Sequence, residues 1–165
     1  MISSKKIFLL VFIVLVSVCG CAQEQKHSDG AYLKYDDFLL YLGQEITEVK
    51  KEFGSGSIQK YDKPDGTYIK ETFSDGTTVG YFESAMKVFY IKTTNPLSES
   101  AIGIKIGDTK ELLLKYAKEI TEQGSFFISY IPLTPSQSAD PLYASIIYVV
   151  KEGKISEMHL NYPAN

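Results

Sequence analysis

The side chains able to do chemistry are few and far apart. His27 and His159, with Cys19 and Cys21, are all the histidines and cysteines of the 165 residues. Covalent catalysis needs a nucleophile held beside a base, and no serine stands in a G-x-S-x-G elbow. Asp36, Asp37, Asp62, Asp65 and Asp75 lack the spacing of a calcium loop; such acids form turns and cap helices. The glycines of "GSGS" (54–57) precede no Lys-Ser/Thr pair of the kind that opens a phosphate-binding helix. The pattern predicts no enzyme, no cofactor and no metal site.

One cysteine does point to a reaction, though one performed on the chain. Lys5 and Lys6 precede an apolar run from Ile7 to Val18, the length of a secretory signal core and short of a membrane span. "VCGC" follows, with Gly20 directly before Cys21. This resembles the lipobox of bacterial prolipoproteins. The resemblance implies cleavage after residue 20, lipid on Cys21 and a mature protein held at a membrane of the cell envelope. An acyl chain contributes about 0.8 kcal/mol per buried methylene, so two or three chains hold stably. Residues 21–31, including "AQEQKHSDG", read as a polar tether, and His27 falls within it. With Cys21 lipidated no thiol remains to form a disulfide, so the exported fold, residues 32–165, must be held by its core.

Charge narrows the partners. The chain has a net charge of -3; Lys5 and Lys6 belong to the leader, which holds no acid, so the mature charge is -5. There is no arginine, the residue best suited to bidentate phosphate contacts. An acidic, arginine-free chain is not a nucleic-acid binder.

The elements follow from periodicity. Phe38, Leu39 and Leu42 predict a short helix, and Ile46, Val49 and Phe53 a second, with Thr47 as N-cap and Gly54 as stop. Strands are expected at 57–62, 67–73, 77–83 and 87–93, punctuated by "KPDG" and "SDG". "NPLSES" reads as a connector. Asp108 and Glu111 then resemble a capping box, and Leu112, Leu113, Tyr116 and Ile120 form a helical stripe ended by Gly124. Strands are expected at 125–131, 142–151 and 154–162, with a proline-rich loop "PLTPSQSADP" after the first. The expected class is α+β: two tandem repeats of a helix followed by antiparallel strands, about 35–94 and 101–163, forming a sheet covered on one face by helices.

"LGQEITEVKKEFG" and "IGDTKELLLKY" look like the helix motif of β-lactamase-inhibitor-like tandem α/β repeats. They are also similar to the small outer-membrane-assembly lipoproteins of the SmpA/OmlA type. Copy one carries Gly54 after Phe53, whereas no glycine follows Tyr116. The resemblance implies helices paired with an antiparallel sheet, a lipid anchor and a protein-binding role. It carries over no contact residue.

Alternation within the strands predicts which side chains face water. Phenylalanine and isoleucine are expected on the buried face; tyrosine travels with lysine, glutamate and histidine on the other. Tyr68, Tyr81, Tyr90, Tyr130, Tyr148 and His159 are the candidate partner-binding residues, although strand 146–150 is apolar on both faces. Tyrosine suits protein recognition, and it equally suits an ordinary solvated sheet. Glu71 falls on the expected buried face. The expected function is an envelope lipoprotein that binds an envelope protein without chemistry, inhibitor-like or assembly-factor-like. The alternative is a receptor for a peptide or lipid, with a pocket between helices and sheet.

Overall fold

The computed structural model describes residues 31–132 and 143–162. The expected signal peptide, Cys21, the tether through residue 30 and the proline-rich loop from residue 133 lie outside the described residues.

The segment 32–42 is the first departure from expectation. It forms a hairpin of β1 (Tyr32–Tyr35) and β2 (Phe38–Tyr41) instead of a helix. Leu33 and Tyr35 on one strand, and Leu40 and Leu42 from the other, are buried at period two. Asp36 takes φ +49 at the turn, a conformation that aspartate tolerates better than most residues. "NPLSES" is not merely a connector, because β7 (Ser98–Ser100) adds to the hairpin and completes a three-stranded sheet ordered β2-β1-β7.

The larger sheet has eight antiparallel strands. They are β3 (Ser57–Lys63), β4 (Gly66–Thr72), β5 (Thr78–Phe82), β6 (Val88–Thr93), β8 (Thr121–Gln123), β9 (Phe126–Pro132), β10 (Tyr143–Lys151) and β11 (Lys154–Asn161). Their order is β3-β4-β5-β6-β11-β10-β9-β8. Two meanders thus meet at the β6–β11 pair, which sets Leu160 against Ile91 and Met158 against Thr93.

Helix α1 (Ile46–Phe53) precedes the first meander and α2 (Lys110–Tyr116) the second. A glycine at positive φ leads each: Gly43 at +89 and Gly107 at +95. The Gly43 amide donates to the Val88 carbonyl (2.6 Å) and the Val88 amide returns to Gln44 (2.9 Å). The Gly107 amide donates to Ile155 (2.8 Å) and the Ile155 amide returns to Asp108 (2.8 Å). Each turn is therefore clamped to the start of the last strand of the meander that follows it. The expected caps move by two residues or less. Glu45, not Thr47, is the N-cap of α1 and makes no side-chain cap bond. Thr109 Oγ1, not the Asp108 carboxylate, accepts from the Leu112 amide at the start of α2 (3.3 Å).

The fold is mostly β, so the expected α+β class, two tandem repeats forming a sheet roofed by helices, is overturned. At about 1.5 Å per residue an eight-residue helix is roughly 12 Å long, while eight strands at about 4.8 Å spacing span some 34 Å. Two short helices cannot roof that width. The three-stranded sheet shares the task. Tyr35 of β1 and Phe38 of β2 meet Phe53 of α1 edge-on, at 5.2 and 5.6 Å, and Phe53 stacks on Phe73 after β4 at 5.3 Å. Ile120 and Gly124 also leave the helix: α2 stops at Tyr116, β8 follows, and Gly124 turns into β9 at φ +63.

The covered face of the large sheet carries the core. Val79, Ile91, Leu160 and Ile146 lie side by side on consecutive strands, all buried. Glu71 extends that row onto β4 and is fully buried. Its carboxylate accepts from the Gly56 amide (3.1 Å) and the Tyr81 hydroxyl (3.0 Å), and the Lys50 ammonium from α1 lies 2.9 Å away. A buried carboxylate persists only where such partners replace its water.

An aromatic groove on the open face of the large sheet

The opposite face is set by the same register. Tyr61 of β3, Tyr68 of β4 and Phe82 of β5 form one row. The next row runs Gln59, Lys70, Gly80, Tyr90, Asn161, Ser145 and Tyr130 across seven strands. A third places Lys92 beside His159. This face keeps exposed apolar surface: Tyr61 is 40% exposed, Phe126 46% and Tyr130 53%.

Phenylalanine and tyrosine are not sorted to opposite faces. Tyr81 and Tyr148 are buried on the covered face, so neither can belong to a docking surface on this side. Phe82 and Phe89 stand on the open face instead, their rings stacked at 5.0 Å. The cause for Phe89 is a register shift between Gly80 and Tyr81, which face Tyr90 and Val88 and leave Phe89 as the extra residue. A bulge turns one extra side chain out of strict alternation. Of the six candidate residues, Tyr68, Tyr90 and His159 come together. Tyr130 shares their face but lies three strands from Tyr90, about 14 Å at ordinary strand spacing.

Around Tyr68 the rings form a continuous cluster. Tyr68 stacks on Tyr61 at 5.6 Å, tilts against Phe89 at 5.3 Å and against Phe82 at 6.1 Å. Tyr68, Phe82 and Phe89, with Tyr90, floor a solvent-open groove of about 430 Å³; Tyr61 lies outside its lining, stacked on Tyr68. The β3–β4 turn at Pro64 walls one side, and Asn161 and Tyr162 the other. Gly80 makes the groove possible. A Cβ there would meet Tyr68 Oη at 2.8 Å and Tyr90 Cβ at 3.1 Å.

Lys70, in the adjoining row, reaches three of the tyrosine rings. Its ammonium lies 5.8 Å from the rings of Tyr61 and Tyr68 and 5.7 Å from that of Tyr90, all within cation–π range. Among the described residues no carboxylate comes within salt-bridge distance of it. Burial pushes the Tyr68 phenol up to about 12, with Tyr90 and Tyr61 adding to the effect. Burial also raises Tyr90, with Glu157 assisting. Both phenols are therefore neutral at any physiological pH and can donate hydrogen bonds.

Beside the groove, Glu157 gathers three nitrogen donors: Lys92 at 2.7 Å, Lys151 at 3.0 Å and His159 at 3.1 Å. The Lys92 bond chiefly holds the Glu157 carboxyl down at about 2; burial opposes this, and His159 and Lys151 reinforce it. His159 itself is lowered, first by burial and then by Lys92, against the pull of Glu157. At neutral pH its contact with Glu157 is a hydrogen bond from a neutral ring. His159 also meets Tyr90 edge-on at 6.1 Å, so this cluster braces one wall of the aromatic surface.

A second open cleft, of about 480 Å³, lies between the β1–β2 turn, the end of α1 and the β4–β5 turn. Tyr35, Phe38, Phe53 and Leu97 supply its apolar lining, and Asp36, Asp37, Glu52 and Asp75 its charge. Among the described residues no group of three or more histidines, cysteines or acids is arranged to hold a metal ion. No helix there is long and apolar enough to cross a membrane.

Comparison with known proteins returns no protein-family model, no curated protein and no solved structure that matches this chain.

Proposed function

We propose that this chain is an exported lipoprotein, anchored through Cys21, that binds another envelope protein through the groove around Tyr68 and performs no chemistry of its own. Localisation rests on the leader: Lys5 and Lys6, the apolar run and Gly20 before Cys21. The binding role rests chiefly on Lys70. An ammonium ringed by three tyrosines, with no carboxylate of the described residues beside it, favours a partner that brings a carboxylate together with an apolar side chain. Tyrosine and phenylalanine supply contact area at low entropic cost. The likeness of the helix segments to inhibitor-like and assembly-factor-like lipoproteins points the same way, on the motif residues alone. The small-ligand alternative requires an enclosed pocket, whereas the two clefts described above are open.

A photo-reactive amino acid at Phe89, compared with one at the exposed Leu114 of α2, tests this in the native envelope. A discrete protein adduct should form from position 89 alone and disappear with Lys70→Glu. Equal adducts from both positions, or insensitivity to Lys70→Glu, would overturn the reading.

A further inference from the structure

The two edges of the large sheet differ. One is β8, three residues long; the other is β3, seven residues long with every residue exposed. No proline, glycine or register shift interrupts β3 in its pairing with β4. Such an edge presents unpaired amides and carbonyls along its length, which natural proteins usually shorten, twist or cover.

We propose that β3 pairs antiparallel with β3 of a second copy of this chain, in the register that sets Tyr61 against Tyr61. The sequence "SIQKYDK" selects this register from its neighbours. Directly opposed residues share a face, so a symmetric pair must centre on one residue. Centring on Tyr61 opposes Lys60 to Asp62 twice, once on each side of the axis, and Gln59 to Lys63. Centring on Lys60 or on Asp62 opposes like charges, which is destabilising; centring on Gln59 creates no charge pair. The two residues are free to pair. Lys60 bonds Glu83 through one of three ammonium protons (2.8 Å), and Asp62 uses Oδ1 to accept from Thr67 (3.1 Å), leaving Oδ2. Both lie on the covered-face side of β3, by their pairing with Ile69 and Thr67.

On the open face the consequence is a longer aromatic surface. Tyr61 already stacks on Tyr68, so pairing places four tyrosines, two from each copy, in one ladder. Each Tyr61–Tyr68 stack then gains the other copy's Tyr61 beside it, and the two sheets form one layer of sixteen strands.

Cysteine trapping of the full-length chain in detergent tests the register. Opposed Cα atoms in an antiparallel pair are about 4.5–5.5 Å apart, within disulfide reach. Tyr61→Cys should therefore give a disulfide-linked dimer on mild oxidation. Gln59→Cys on the same face should not, because its symmetry mate is some 14 Å away. The expected excess of dimer over that from the wild-type chain is about tenfold. Lys60→Asp in the Tyr61→Cys chain should reduce trapping, and Asp62→Lys added to it should restore the yield. Equal trapping at 59 and 61, trapping at 59 alone, no dimer from either, or no recovery in the charge exchange would each overturn the proposal.

Discussion

The Lys50 ammonium on α1 stands 2.9 Å from Oε2 of Glu71 on β4, and Glu71 is fully buried beneath the helix. This contact ties the first helix to the sheet and explains why a glutamate occupies a core position. Lys50 remains about one-third exposed while its partner does not, so the lysine gives up less hydration than the carboxylate does.

Removing the lysine alone leaves a buried charge without its cation. Lys50→Met should lower unfolding stability by about 2–4 kcal/mol, and Lys50→Met combined with Glu71→Leu should recover a large part of that loss. Urea denaturation of the wild type and both variants checks it. A double variant weaker than the single one would show that Tyr81 and the Gly56 amide, not Lys50, are the main supports of Glu71.

Two glycines should respond differently to a methyl group. At Gly56 a Cβ would press on the Thr72 carbonyl at 2.7 Å, which is backbone and cannot swing away. At Gly80 the closest atom is the far end of the Tyr68 side chain, which can move. Gly56→Ala should therefore cost about 2–3 kcal/mol and Gly80→Ala nearer 1. Gly80→Ala should nevertheless change the near-ultraviolet circular dichroism of the tyrosine cluster. Thermal melts and that spectrum together distinguish the two; an unchanged spectrum would mean that Gly80 does not shape the groove.

Acid should weaken the fold through Glu157. Its carboxyl is held at about 2 against an ordinary 4.5. The lowered value stabilises the native state fully above about pH 4.5, and this stabilisation is lost as pH falls towards 2. His159 acts in the same direction at higher pH. Its folded value lies below 6.5, so the unfolded chain takes up that proton first and stability declines as pH drops through this range. The stability difference between His159→Gln and the double variant His159→Gln with Glu157→Gln, followed by urea denaturation so that only the carboxyl titrates, should be flat above pH 5 and shrink below 4.5. A difference that grows on acidification would contradict the geometry.

Two buried tyrosines make opposite predictions. The Tyr148 hydroxyl meets no hydrogen-bond partner of good geometry among the described residues, and burial pushes it up to about 12 even though Ser100 lies near enough to oppose the shift. Tyr35 Oη lies 3.2 Å from Thr77 Oγ1. Tyr148→Phe should be neutral or raise stability by up to about 1 kcal/mol, while Tyr35→Phe should lower it by about 1. Calorimetric melting of both variants decides it, and a clear loss in Tyr148→Phe would reveal a partner for that hydroxyl.

Much of the strand layout was legible in the chain itself. "KPDG", "SDG" and "EGK" mark turns that the structure places between β3 and β4, β4 and β5, and β10 and β11. The β-branched and aromatic runs between them begin and end within a residue or two of the observed strands. The hairpin at 32–42 is not legible because Phe38, Leu39 and Leu42 also satisfy a helical spacing, and short apolar runs support either period. Only the pairing of Leu33 with Leu40, and of β1 with β7 some sixty residues away, settles the choice.

The candidate surface was less legible, for a reason visible at two strands. Alternation in β5 separates Tyr81 from Phe82 but does not say which of them faces water; that depends on Ile69 and Val88 lying beside Tyr81 and on Glu71 bonding its hydroxyl. Phe89 departs from the face that alternation predicts because the register shifts opposite Gly80 and Tyr81, and no local spacing announces a bulge. Local chemistry thus determined where much of the chain turns and where it extends. The tertiary structure alone decided which rings line the groove, because that choice is made by pairing between strands distant in sequence and by what covers each face.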